Sequence, residues 1–120
     1  MELKDLEIYV LSRKVSSKAW NVYAAMDYQV KKVMGDQWIR SIGSIGANIA
    51  EGFGRFHYLD KNKFNFNARG SLLEAIHWTE FLLGRNLIAQ KMNEELKKLF
   101  DELYPKLNKY IQTTKSLAAK

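Results

Sequence analysis

Apolar residues recur at steps of three and four through four long stretches of this chain, and only one proline occurs in 120 residues. A three-four repeat places apolar side chains on one face of a helix. Scarce proline removes the strongest helix breaker. The first stretch runs from about Asp5 to about Val33. Ile8, Leu11, Val15, Ala19, Val22 and Met26 form its main stripe, with Tyr9, Trp20 and Tyr23 beside it. Asp5 reads as its N-cap and Gly35 as its stop. The second runs from Gln37 to Glu51 behind an Asp36 cap, with Trp38, Ile42, Ile45 and Ile49 on one side. Gly43, Gly46 and Ala47 keep another side thin, and Gly52 and Gly54 end the helix. The third follows the loop Arg55 to Asp60, is capped by Asp60 and ends near Ala89 or Gln90. The fourth runs from Asn93 to about Lys115. Its apolar stripe continues beyond Pro105, which predicts a kink there and not a break.

No segment alternates as a strand would. The reading is an all-α fold: one domain over residues 1–120, arranged as an antiparallel, up-down-up-down four-helix bundle. The wide apolar faces of the first and third helices exceed what one small core needs, which predicts association between copies.

Composition narrows the chemistry. The chain has no cysteine, so thiolate metal sites and disulfides are excluded. The charged N-terminus lacks a signal-peptide core, and no run approaches the roughly 18 apolar residues of a membrane span. Both point to the cytoplasm. Nineteen Lys and Arg against 13 Asp and Glu give a net charge of +6, which makes polyanions plausible partners. Glu74-x-x-His77 matches one element of a di-iron bundle, but the only other histidine, His57, has Gly54 three residues before it. Ser41, Ser44 and Ser71 lie within helices without a spaced His and Asp. The expectation is a protein without catalytic residues, metal or cofactor.

The second helix carries a further stripe, Ser41, Ser44, Asn48, Glu51 and Arg55. An acid in the last turn of a helix is disfavoured by the helix dipole unless a cation is near. This predicts a structural polar cluster of Asn48, Glu51 and Arg69 between the second and third helices.

Ser44-Ile45-Gly46-Ala47-Asn48-Ile49-Ala50-Glu51-Gly52-Phe53-Gly54-Arg55 resembles the signature of the bacterial proteins encoded in intervening sequences of 23S ribosomal RNA genes. Ala68-Arg69-Gly70-Ser71-Leu72 with Glu74 is a second match, and Leu6-Glu7-Ile8-Tyr9, Gln37 and Arg40 also fit. Two features depart from the pattern: Gly46 stands where the family usually has Pro, and Phe64 to Asn67 is poor in aliphatics. The resemblance implies a four-helix bundle that forms a ring, commonly a pentamer, in the cytoplasm, with a role in binding RNA. Accessory proteins of diversity-generating retroelements are similar in fold and bind a reverse transcriptase.

Phe53 to Phe66 interleaves aromatics with cations, a composition suited to stacking unpaired bases while holding phosphates. The candidate nucleic-acid-binding residues are Arg55, Lys61 and Lys63, with Lys97, Lys98, Lys106 and Lys109 on the fourth helix. The competing reading is a protein-binding scaffold or adaptor for a nucleic-acid enzyme such as a reverse transcriptase. Basic residues gathered on one face favour RNA; a neutral apolar groove favours the adaptor.

Overall fold

The computed structural model describes all 120 residues, and every regular element is helical. A 3-10 turn, Leu3–Asp5, precedes α1, Glu7–Ala24. The second helix, α2, is one continuous run made of Tyr28–Val30, a π-helical turn Lys31–Gly35, and Asp36–Phe53. Helix α3 spans Tyr58–Gly84 and α4 spans Gln90–Ala118. Each of α1 and α3 packs against both α2 and α4, so α1 and α3 occupy diagonal corners of a bundle 50 Å long.

The core is built from the expected stripes. Leu11, Val15 and Ala19 of α1 meet Trp38, Ile42, Ile45 and Ile49 of α2. Ala68, Leu72, Ala75 and Leu82 of α3 and Leu96, Phe100, Leu103, Leu107 and Ile111 of α4 complete it. Cross-helix pairs give the order of contact along the axis. Gly52 lies against Lys61 to Asn65, Arg40 meets Glu74, and Trp38 meets Thr79. Asn62 meets Ile111 and Arg69 meets Asn108. Lys106 pairs with Glu7, and Lys18 with Glu95.

Five helix boundaries differ from the sequence reading: the end of the first helix, the start of the second, both ends of the third and the start of the fourth. The first helix ends at Ala24, not near Val33. The chain turns at Ala25 and Met26, and Asp27, in extended backbone, opens the next helix. The apolar repeat runs on across this turn because Met26 and Val30 pack on the core from either side of it. Gly35 is no stop: it sits inside the helical run, and a Cβ there would lie 2.9 Å from Met26 Sδ. Its lack of a side chain lets the turn after α1 cross close to α2. Asp36 therefore caps nothing; its carboxylate accepts a 2.5 Å hydrogen bond from the Tyr23 hydroxyl.

Helix α3 stops at Gly84, before the expected Ala89. Asn86 takes the left-handed conformation, φ 57°. Its N–H donates to the Leu83 carbonyl, and the Leu87 N–H donates to the Leu82 carbonyl. This is the glycine-type helix stop, filled here by asparagine. Asn93 then lies within the first turn of α4, and His57 rather than Asp60 precedes α3. Helix α4 runs unbroken through Pro105, whose side chain is exposed.

Gly46 opposes α1: a Cβ would stand 2.9 Å from Ser12 Oγ. Glycine at this position lets α1 and α2 approach closely.

Candidate nucleic-acid interface

The predicted polar cluster does not form. Asn48 donates to the Ser44 carbonyl of its own helix, at 2.9 Å. Glu51 is exposed and pairs with Arg55 at 3.2 Å. Arg69 turns to α4 and donates to Asn108 Oδ1 at 3.1 Å. The misplaced acid is neutralised one turn further along the chain, because the run Gly52 to Arg55 stays helical enough to bring Arg55 beneath Glu51. Along the stripe Glu51 and Arg55 are exposed, Ser44 and Asn48 are half-buried, and Ser41 is buried, its hydroxyl donating to the Trp38 carbonyl.

The seven candidate cations fall into distinct situations. Arg55 is held by Glu51 and lies over the Phe64 ring, 4.7 Å from its centre. Lys61 Nζ donates to the Phe53 carbonyl at 3.0 Å, which supplies a positive charge to the C-terminal end of α2. Lys97 pairs with Asp101 at 3.0 Å. Lys106 is held by Glu7 and Glu102, and those hydrogen bonds raise its pKa above the usual lysine value. Lys63, Lys98 and Lys109 have no carboxylate within ion-pair distance.

Nor do the seven share one face. Lys97 borders a groove between α3 and α4 with Ile76, Glu80 and Asp101. Lys106 and Lys109 border a cavity of about 340 Å³ between α1 and α4, over Leu6, Ile8 and Tyr110. Burial raises the Tyr110 hydroxyl pKa there. Between Lys97 and Lys109 the helix advances about 18 Å.

One groove, of about 560 Å³, does combine free cations with an exposed aromatic. It lies between the start of α3 and the end of α4 and is lined by Leu59, Asn62, Lys63, Phe66, Lys115 and Ala118, with Ala119. Lys63 and Lys115 are both exposed and unpaired. Phe66 is 46% exposed, and Arg69 lies over its ring at 5.0 Å. Asn62 fixes the groove floor by donating to the Ile111 carbonyl at 3.1 Å, and accepts from Asn65 at 3.1 Å. Lys115 is absent from the sequence-derived set. The signal that finds it is the position of α4 opposite the start of α3, which places its last turn beside Lys63.

Other chemistry is engaged elsewhere. Glu74 of the Glu-x-x-His element accepts from Arg40 at 3.3 Å and from Trp78 at 3.2 Å. His77 packs on Trp78, with ring centres 4.9 Å apart. No helix is long and apolar enough to cross a membrane.

These features define an all-helical, basic four-helix protein whose free cations and exposed aromatics lie on its surface. The chain belongs to the 23S rRNA-intervening sequence protein family, whose model matches residues 4–109. Among solved structures it is similar to a protein of unknown function from the S23 ribosomal protein family of Bacteroides thetaiotaomicron VPI-5482. The two are 26% identical, with a TM-score of 0.80, over 87% of this chain and 97% of that one. A search of curated proteins finds no match.

Proposed function

We propose that this chain is a cytoplasmic, non-enzymatic protein that assembles with copies of itself and binds RNA. Its architecture in this reading is the antiparallel, up-down-up-down bundle, supported by contact pairs in which one number rises as the other falls. The observation that carries RNA binding is the groove in which unpaired Lys63 and Lys115 flank the exposed Phe66 ring. Cations hold phosphates without reading sequence, and an exposed ring offers an unpaired base a stacking surface.

Charge across the whole chain supports the same reading. Six of the 19 Lys and Arg side chains sit in ion pairs with carboxylates, which leaves 13 without one. In an oligomer the net charge of +6 per chain is multiplied by the number of subunits, and a pentamer, the assembly implied by the family signature, would carry it fivefold.

Crosslinking and recovery of the protein from its native host tests the reading. A defined set of RNAs enriched over bulk RNA at physiological salt supports it. A stoichiometric protein partner without RNA enrichment overturns it in favour of the adaptor.

A further inference from the structure

Arg69, the cation of the second signature stretch, pairs with no carboxylate. Its guanidinium has two other partners. It donates to Asn108 Oδ1 of α4 at 3.1 Å, and it lies over the Phe66 ring, 5.0 Å from the ring centre. The hydrogen bond fixes the guanidinium from the neighbouring helix. The fixed guanidinium in turn holds the ring, three residues earlier on α3.

Core packing does not account for Phe66. The ring is absent from the apolar core and from the half-buried residues around it, and no other aromatic ring packs on it. Cations also lie over Tyr9, Tyr23, Phe53, Phe64 and Phe81, but each of those rings is half-buried, whereas Phe66 is exposed. Phe66 lines the groove with Lys63 and Lys115, and Arg69 does not. The guanidinium therefore covers the face of the ring turned away from the groove, and the other face is open to it.

This arrangement suits one kind of polyanion. A cation on one face of a ring is attracted by its π-density, and drawing that density away favours an electron-rich partner on the opposite face. An unpaired base is such a partner, and purines offer the larger stacking surface. From Leu59 to Phe66 the groove advances about 10 Å along α3, the reach of a short run of strand. A duplex keeps its bases paired and stacked, and its deep, narrow major groove closes them to side chains.

We infer that the groove takes an unpaired base of single-stranded RNA, purines being favoured, stacked on the free face of Phe66, and that Arg69 is the positioning residue that holds the ring for it. Lys63 and Lys115 supply attraction to phosphate, and Phe66 with Arg69 supplies the choice of single strand over duplex. This inference rests on the RNA-binding part of the proposed function and names the class of RNA.

The test titrates the full chain with oligoadenylate carrying one 2-aminopurine, beside oligouridylate and a blunt RNA duplex of the same length. The fluorophore is expected to be quenched on binding, and affinity to fall in the order oligoadenylate, oligouridylate, duplex. Phe66→Leu is expected to abolish the quenching and to weaken oligoadenylate binding about tenfold, with duplex binding unchanged. Arg69→Met is expected to reduce the quenching while the slope of affinity against salt stays that of wild type, because Arg69 holds no phosphate. Helicity is read by circular dichroism, and Phe66→Met and Asn108→Ala replace either variant that loses it. Duplex bound as tightly as oligoadenylate, or quenching that survives loss of the Phe66 ring, overturns the stacking site and leaves RNA binding standing. Wild-type quenching in the Arg69 and Asn108 variants overturns the positioning role. Absence of salt-dependent binding to any of the three RNAs overturns both this inference and the RNA-binding reading.

Discussion

The indole nitrogen of Trp38 donates a 2.9 Å hydrogen bond to the Thr79 hydroxyl, joining α2 to α3 inside the core. Trp38 is fully buried, and Thr79 in turn donates to the Ala75 carbonyl at 2.7 Å. Thr79 is therefore the partner that lets a tryptophan stand at the centre of an apolar stripe. Thr79→Val keeps the shape and leaves a buried N–H without an acceptor, at a cost of about 1–3 kcal/mol. Urea unfolding checks this, with the midpoint expected to fall at unchanged slope.

Gly52 marks a close crossing of α2 and α3. A Cβ there would lie 2.9 Å from the Lys61 carbonyl oxygen and 3.1 Å from Phe64 Cβ. The nearest atom is backbone and cannot swing aside. Gly52→Ala is expected to destabilise by about 1–3 kcal/mol, despite alanine's better helix propensity. A raised melting temperature would show that the crossing is looser than described.

The Glu51–Arg55 pair is exposed on both sides, at 56% and 44% for the two side chains. Exposed pairs of this kind contribute about 0–1 kcal/mol. Glu51→Ala should thus leave stability within about 1 kcal/mol of wild type. A loss of several kcal/mol by chemical denaturation would restore the buried cluster that the sequence pattern suggested.

Lys18 and Glu95 tie α1 to α4 at 2.9 Å. The hydrogen bond from the Lys18 ammonium holds the Glu95 carboxyl below its ordinary value of 4.5. A depressed carboxyl pKa stabilises the fold above the unfolded value, and that contribution disappears as pH falls through the folded one. Glu95→Gln should therefore lower the melting temperature at neutral pH. The difference from wild type should vanish once pH drops below the carboxylate range. A gap that persists in strong acid would mean that the charge is not the cause.

Most of the fold was legible because burial follows helical periodicity: Val15, Ile45, Leu72 and Leu103 are all fully buried, as their stripes imply. Boundaries failed where one residue type serves two physical roles. Gly35 looks like a helix stop, but its lack of a side chain serves a close crossing, while the real punctuation came from Asp27 and from Asn86 in the left-handed region. The polar cluster failed because Arg55, four residues on, pairs with Glu51, while the three-dimensional path of α3 sends Arg69 to Asn108. Charge spacing singled out Lys63 as a candidate cation, and the fold leaves it without a carboxylate partner. It could not show that Lys61 and Lys106 are engaged within the chain, or that Lys115 stands across a groove from Lys63.

The most direct measurement is equilibrium binding of a single-stranded RNA to the full chain across a salt series, for wild type and for the Lys63→Glu/Lys115→Glu double variant. Lys97→Ala, which breaks an ion pair on another groove, serves as control. The account predicts wild-type affinity that falls steeply with salt, a loss of roughly tenfold or more in the double variant, and little change in the control. Equal affinities for all three proteins, or wild-type binding indifferent to salt, would contradict it.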